Sequence, residues 1–276
     1  MEDTAYIRER VRFPVVGGLF YPEDRSEAEL RLAACMKDWE TDRSRVIVAP
    51  HGAWDISGRI AGAAFAAAGG EGRQVARVVV LGTIHQEEEG LFLSDSDFFQ
   101  TPLGNIPVAR VFCEELASCN TLFEINDIPH LKEHSIEVLL PFVKYCFPEA
   151  AIVPVLMGSS RRRLVSALAH SLRIVFEPIM KDTLLVLSCN LSMNMDGETA
   201  RLQAEECVRL LTEKDAARFA GEVRDGGISA CGKGLAASLL ESGLVNNMRG
   251  RLVSGPLIQA KGEENKTVYY GAFAYE

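Results

Sequence analysis

The chain has 276 residues, of which 47% are hydrophobic and 24% charged, with a formal net charge of -9. These are the proportions of an ordinary globular protein, at a length that suits one large α/β domain or two small ones. The acidic balance lacks the basic field of a nucleic-acid binder, and no stretch approaches the ~18 consecutive apolar residues of a membrane span.

The acidic start Met1-Glu2-Asp3-Thr4 is followed by no apolar core of signal-peptide type. Seven cysteines, at 35, 113, 119, 146, 189, 207 and 231, form no C-x-x-C pair. An odd, scattered set suits buried thiols in a reducing cytoplasm and argues against a structural zinc knuckle.

Val11 to Pro22 mixes aromatics with Pro and Gly and reads as an ordered arm packed on the body. Ser26 with Glu29 three residues on has the form of a capping box, which predicts a helix to about Trp39. Val46-Ile47-Val48-Ala49 reads as a short strand buried on both faces. Pro50 cannot donate to a ladder and ends it, so His51 stands where the chain turns. Ile60, Ala61, Ala64, Phe65 and Ala68 then recur at helical spacing.

Val78-Val79-Val80-Leu81-Gly82-Thr83-Ile84-His85 repeats the grammar of strand, short turn and histidine. The pieces from Gly90 to Val108 predict short strands in an antiparallel excursion, with a helix over 109–117. Glu133-His134-Ser135-Ile136-Glu137 introduces a helix with Ile136, Leu139, Leu140, Val143 and Phe147 on its core side. Pro141 inside it predicts a kink or a late start. A third buried strand spans 151–156 and leads into a helix with Leu164, Leu168, Leu172 and Val175 on one face. Arg161-Arg162-Arg163, the only tight basic run, falls at that helix start and reads as a solvated face.

A fourth buried strand, 183–188, ends in the polar turn Cys189 to Gly197. Helices near 198–211 and 215–220 follow, Ser229 to Gly234 opens another, and strands near 251–254 and 267–273 close the chain. Alternating buried strands and helices predict a single three-layer α/β domain over 1–276 with a largely parallel central sheet.

If that sheet is parallel, His51, His85, the 133–137 turn and the Asn190–Met193 turn share one rim, where open α/β sheets bind ligands. Imidazoles meeting there read as metal ligands or as an acid/base pair. Cys231 joins them as a candidate because a helix N-terminus favours thiolate and Lys233 adds positive charge. A small buried hydrophobe is the plainer reading of that cysteine. For His134 and Glu137 the plainer reading is a cap and a solvated carboxylate, and His130 and His170 carry no functional signal.

Arg12-Phe13-Pro14, Gly17 to Pro22, Ala49-Pro50-His51-Gly52-Ala53-Trp54, Leu81 to His85, Thr101 to Gly104, and Glu133 to Glu137 with Leu140-Pro141-Phe142 resemble, in order, the motifs of the Memo family. Its bacterial and archaeal members are often labelled AmmeMemoRadiSam system protein B. The resemblance covers nearly the whole chain. It implies a fold like that of the class III extradiol dioxygenases, and a pocket with two histidines and a cysteine that binds iron or copper. Carried over by motif, the metal ligands are His51, His85 and Cys231, with zinc a further metal that imidazole and thiolate suit. Trp54, Asn190 and Met193 are expected around the pocket.

Two departures stand out. Gly52 and Ala53 are swapped relative to the family's usual order. The fourth-strand turn, usually Ser-Ser-Asp with a histidine beyond, reads Ser188-Cys189-Asn190-Leu191-Ser192-Met193. Methionine cannot move protons, so extradiol ring cleavage is not expected, and His134 is the acid/base candidate that remains. Three functions stay open. They are a metal-dependent redox or oxygenase-like protein, a non-catalytic module binding a small molecule or peptide in the same pocket, and a cysteine nucleophile with His51 or His85 as base. Neither nucleic acid nor membrane is an expected partner, and an oligomer is compatible with the sequence.

Overall fold

The computed structural model describes residues 9–86, 88–254, 257–261 and 265–276. The acidic start at Met1 to Thr4 lies outside them. The strands are β1 (Val11–Arg12), β2 (Val46–Ala49), β3 (Arg77–Thr83), β4 (Leu91–Leu93), β5 (Phe98–Thr101), β6 (Gly104–Pro107), β7 (Phe123–Ile125), β8 (Ala151–Met157), β9 (Thr183–Ser188), β10 (Ser192–Asn194), β11 (Gly250–Leu252), β12 (Ile258–Lys261), β13 (Thr267–Tyr270) and β14 (Phe273–Tyr275). The α-helices are α1 (Arg25–Met36), α2 (Arg59–Ala68), α3 (Arg110–Cys119), α4 (Asp127–His130), α5 (Leu140–Cys146), α6 (Arg162–Phe176), α7 (Gly197–Glu213), α8 (Ala216–Asp225) and α9 (Lys233–Ser242).

The result is a mixed α/β fold around an eight-stranded sheet, ordered β11-β14-β2-β9-β3-β8-β4-β7. Its centre, β2-β9-β3-β8, is wholly parallel. Antiparallel strands enter on both sides, β14 beside β2 and β4 beside β8. The residues of β2 and β9 are all buried, as strands covered on both faces require. One group of helices, α1, α2 and α5, packs together with α2 against β2 and β14. A second runs α3-α6-α9-α8-α7, with α9 against β3 and α3 against β8. The parallel centre fixes the rim: His51, His85, Cys189 with Asn190, and Gly158 all follow the carboxyl ends of adjacent strands.

Several sequence expectations need adjustment. The cap of α1 is Asp24, whose side chain accepts from Glu27 N at 2.9 Å, and the helix ends at Met36, before Trp39. The segment predicted as a simple antiparallel excursion divides. β4 joins the central sheet, while β5 and β6 pair with each other and β5 also pairs with the arm strand β1. Pro141 does not kink a helix; it occupies the first turn of α5 after a 3-10 turn at Glu137–Leu139, where a missing N–H costs nothing. The closing strand is two, β13 and β14, broken at Gly271, where an added Cβ would stand 2.6 Å from Leu191 Cδ1. β12 is too short and exposed for its alternation to stand out in the sequence; it pairs with β13 in a small sheet with β10.

The arm is held by charge. Arg12 is 2% exposed, and its guanidinium donates to the Glu137 carboxylate and to the carbonyls of His130 and Glu133. Glu137 also accepts from Val15 N, Val16 N and Tyr21 OH. It is 1% exposed, so the expectation of a solvated carboxylate is corrected: Glu137 fastens the arm to the 130–137 segment. The arginine run stands at the start of α6 and is exposed there, as the sequence suggests, with surface ion pairs along it. Arg161 and Arg163 pair with Glu89, and Arg162 pairs with Glu241.

Candidate metal centre

His51 enters from the turn after β2, His85 from the turn after β3, and Cys231 from the loop that starts α9. One ligand atom from each lies within 4.8 Å of the other two. His51 Nε2 is 3.4 Å from Cys231 Sγ, and the rings of His51 and His85 meet edge-on at 5.1 Å. His51 is buried, Cys231 half-buried, and His85 36% exposed on its side chain, so the cluster opens to solvent on the His85 side.

Each histidine is gripped by its Nδ1. Ser188 Oγ donates its one hydrogen to the Ser135 carbonyl at 2.5 Å, so it can only accept from His51 Nδ1–H, at 2.7 Å. That fixes the tautomer and leaves the Nε2 lone pair facing Cys231. His85 Nδ1 lies 3.0 Å from Glu133 Oε1. Glu133 also accepts from the backbone N–H groups of His85, His134 and Ser135 at 2.8, 2.8 and 2.7 Å. A carboxylate or hydroxyl on one ring nitrogen, leaving the other free, is the usual support of a metal-ligating histidine.

Cys231 is seated by the backbone N–H of Asn190, which donates to Sγ at 3.1 Å. The Cys189 thiol beside it outweighs burial and, with the His51 imidazole, holds the Cys231 thiol well below its ordinary pKa. Partial burial opposes charge on His85, but hydrogen bonds to Cys231 and Glu133 prevail and push it up to about 10. Burial also opposes charge on Glu133, yet the His85 contacts hold it down to about 2.

His134 lies in the same cluster, stacked on His85 at 4.9 Å and edge-on to His51 at 5.8 Å. Burial, with His51 and His85 adding to it, pushes it down to about 4 despite Glu133. His85, Glu133 and His134 also bring ligand atoms within 4.8 Å. Glu133 already accepts from four donors, so the cysteine-containing trio keeps more ligand capacity free.

Asn190 is in place, its Oδ1 accepting from His51 N at 3.2 Å. Met193 is not part of the cluster's contacts: it lies on β10, side chain exposed, backbone N–H bonded to Ser229 Oγ at 3.2 Å. Trp54 stands in the core between Tyr21 and Phe142, its indole N–H donating to the Val138 carbonyl at 3.1 Å. It braces the turn behind His51 without touching the ligand atoms. Gly52 has no positive φ, and Ala53 sits at φ -55°, so the swapped pair imposes no special backbone. His130 is buried and bonded to the Phe92 carbonyl at 3.3 Å, and His170 is exposed on α6. Sequence reasoning missed the roles of Glu133, Ser188 and Cys189. The one available signal was that each stands beside a candidate ligand or at the end of a strand that carries one.

The sequence matches the model of a family described as Memo-like protein over residues 12–272. Among similar proteins, a MEMO1 family protein of Thermotoga neapolitana is 28% identical, covering 84% of this chain and 88% of its own length. One from Methanosarcina barkeri is 26% identical, over 96% of this chain and all of its own length. Another, from Nitrosopumilus maritimus, is 22% identical over 96% and 99%. With the family model spanning nearly the whole sequence, the chain belongs to the Memo family.

Proposed function

We propose that this chain, as one three-layer domain over 1–276 related to the class III extradiol dioxygenases, is a metal-binding protein. It would hold one iron or copper ion, or zinc, through His51, His85 and Cys231, in redox or oxygenase-like chemistry. The observation that carries the reading is the joint orientation of the two imidazoles: both Nδ1 atoms are held from behind by Ser188 and Glu133, leaving the distal nitrogens to a thiolate. Two imidazoles and a thiolate fit borderline and soft metals, not Mg or Ca. When bound, such an ion would supply Lewis acidity and, if iron or copper, one-electron redox chemistry.

The chain's own residues define what surrounds it. Asn190 seats Cys231 and His51 together, Glu133 keeps the 133–135 turn closed, and His134 is the neutral imidazole within reach to accept a proton. Ring cleavage is outside this reading, because neither Asn190 nor Met193 can take and return a proton near neutral pH. No observation favours the non-catalytic module over this.

The test is anaerobic purification with elemental analysis. Wild type should retain close to one iron, copper or zinc per chain and Cys231→Ser much less, and the iron-loaded wild type should leave catechol intact. Equal metal content in the two proteins, or catechol turnover lost in His51→Ala, would contradict the proposal.

A further inference from the structure

All seven cysteines are free thiols, and two of them meet at the candidate metal centre. Cys189 follows β9 and Cys231 precedes α9, and both sulfurs close on one peptide unit. Asn190 N–H donates to Cys231 Sγ at 3.1 Å, while the Cys189 thiol donates to the Asn190 carbonyl at 3.2 Å. Cys231 Sγ lies 3.8 Å from that same carbonyl oxygen. The two sulfurs also hydrogen-bond each other. Gly232 brings the chain this close: a Cβ added there would stand 2.8 Å from both Cβ and Sγ of Cys189. Such a close approach of two backbones is what a disulfide requires. Where the family's usual turn has serine this chain has Cys189, so the pair arises from the departure in that turn. Cys189 is not itself a ligand, since it belongs to neither group of residues whose ligand atoms converge.

We infer that Cys189 and Cys231 are a redox-active pair, which a small peroxide joins in a disulfide. Cys231 is the sulfur that attacks the peroxide, being half-buried where Cys189 is 1% exposed. His51 Nε2, 3.4 Å away with its lone pair facing the sulfur, accepts the thiol proton and passes it to the departing hydroxide. The O–O bond breaks, leaving a sulfenic acid on Cys231 and one water. Cys189, already in contact, then attacks the Cys231 sulfur. The S–S bond forms, and the hydroxyl leaves with the Cys189 proton as a second water. The two thiols give up two electrons, and the peroxide takes them. Cys207 on α7 reaches Cys231 only through charge and is 1% exposed, so it does not compete. A disulfide withdraws the thiolate from His51 and His85, so oxidation releases the metal and bound metal shields Cys231. That last consequence rests on the metal reading above; the disulfide does not.

The experiment treats metal-free protein with a slight excess of hydrogen peroxide, counts thiols against time and maps linked peptides by mass. Wild type should lose two thiols per chain, gain a link between Cys189 and Cys231, and recover both thiols on reduction with dithiothreitol. Cys189→Ser, which restores the family's usual residue, should instead stop at a Cys231 sulfenic acid that dimedone traps. Cys207→Ser should behave as wild type. Zinc added before the peroxide should slow the reaction about tenfold or more, and the oxidised protein should bind zinc about tenfold or more weakly until it is reduced. A Cys231 that over-oxidises equally fast in wild type and Cys189→Ser, or that links to another cysteine, would overturn the inference. A link between Cys189 and Cys231 that leaves zinc affinity unchanged would sink the metal reading and leave this one standing.

Discussion

At the scale of single residues, Ser188 shows how little is needed to orient an imidazole. One hydroxyl, with its proton committed to the Ser135 carbonyl, dictates which nitrogen of His51 is bare. The histidines and the cysteine were legible in the sequence because each ends a strand or opens a helix. Ser188 was not, since a serine at a strand end has a dozen uses and only the register of β9 beside β2 places it behind His51. Ser188→Ala should leave the fold intact and lower zinc affinity about 10–100-fold, the usual consequence of losing such a support. Competitive chelator titration measures it, and an affinity equal to wild type would show that the tautomer is set elsewhere.

At the scale of elements, the buried strands were readable from unbroken runs of Val, Ile and Leu. The edges were not. β12 reads Ile258-Gln259-Ala260-Lys261, mostly exposed, and only its partner β13 gives it shape. The 133–137 segment is the element on which the site turns, and contacts from several directions hold it. Arg12 and Glu137 clamp it from the arm, and Ser135 Oγ donates to the Thr83 carbonyl at 2.8 Å. Gly82, at the end of β3, admits that contact. A Cβ there would sit 2.6 Å from Ile136 Cγ1 and 2.7 Å from Ser135 Oγ. Gly82→Ala should therefore cost about 1–3 kcal/mol by overpacking and shift Glu133 away from His85, weakening metal binding as well. Urea unfolding and zinc titration read the two effects; a variant as stable and as tight as wild type would show that the segment is not held this closely.

At the scale of the whole molecule, buried ionisable groups set the response to pH. Burial holds His130 and His134 each down to about 4 from an ordinary 6.5. Between those values the unfolded chain binds more protons than the folded one. Stability must then fall on acidification, by up to about 1.4 kcal/mol per pH unit for each group. Glu133, held down to about 2 from 4.5, extends the loss below pH 4.5. His85 acts in the opposite direction: its contribution is complete below 6.5 and is lost as pH rises toward 10. The urea midpoint of the metal-free protein should thus be highest near neutrality and drop steeply between pH 6.5 and 4. A midpoint unchanged across that window would mean that these imidazoles are charged in the folded chain. Among the described residues no helix is long and apolar enough to cross a membrane.

All three scales meet in one claim, that His51, His85 and Cys231 form a single metal site with a thiolate ligand. Titrating Co(II) into metal-free protein under argon tests it most directly, because a cobalt–thiolate bond gives a near-ultraviolet charge-transfer band that imidazole and carboxylate ligands do not. The account predicts saturation at one equivalent with that band present in wild type and absent in Cys231→Ser. Stoichiometric binding without the band, or a band that survives in Cys231→Ser, would contradict it.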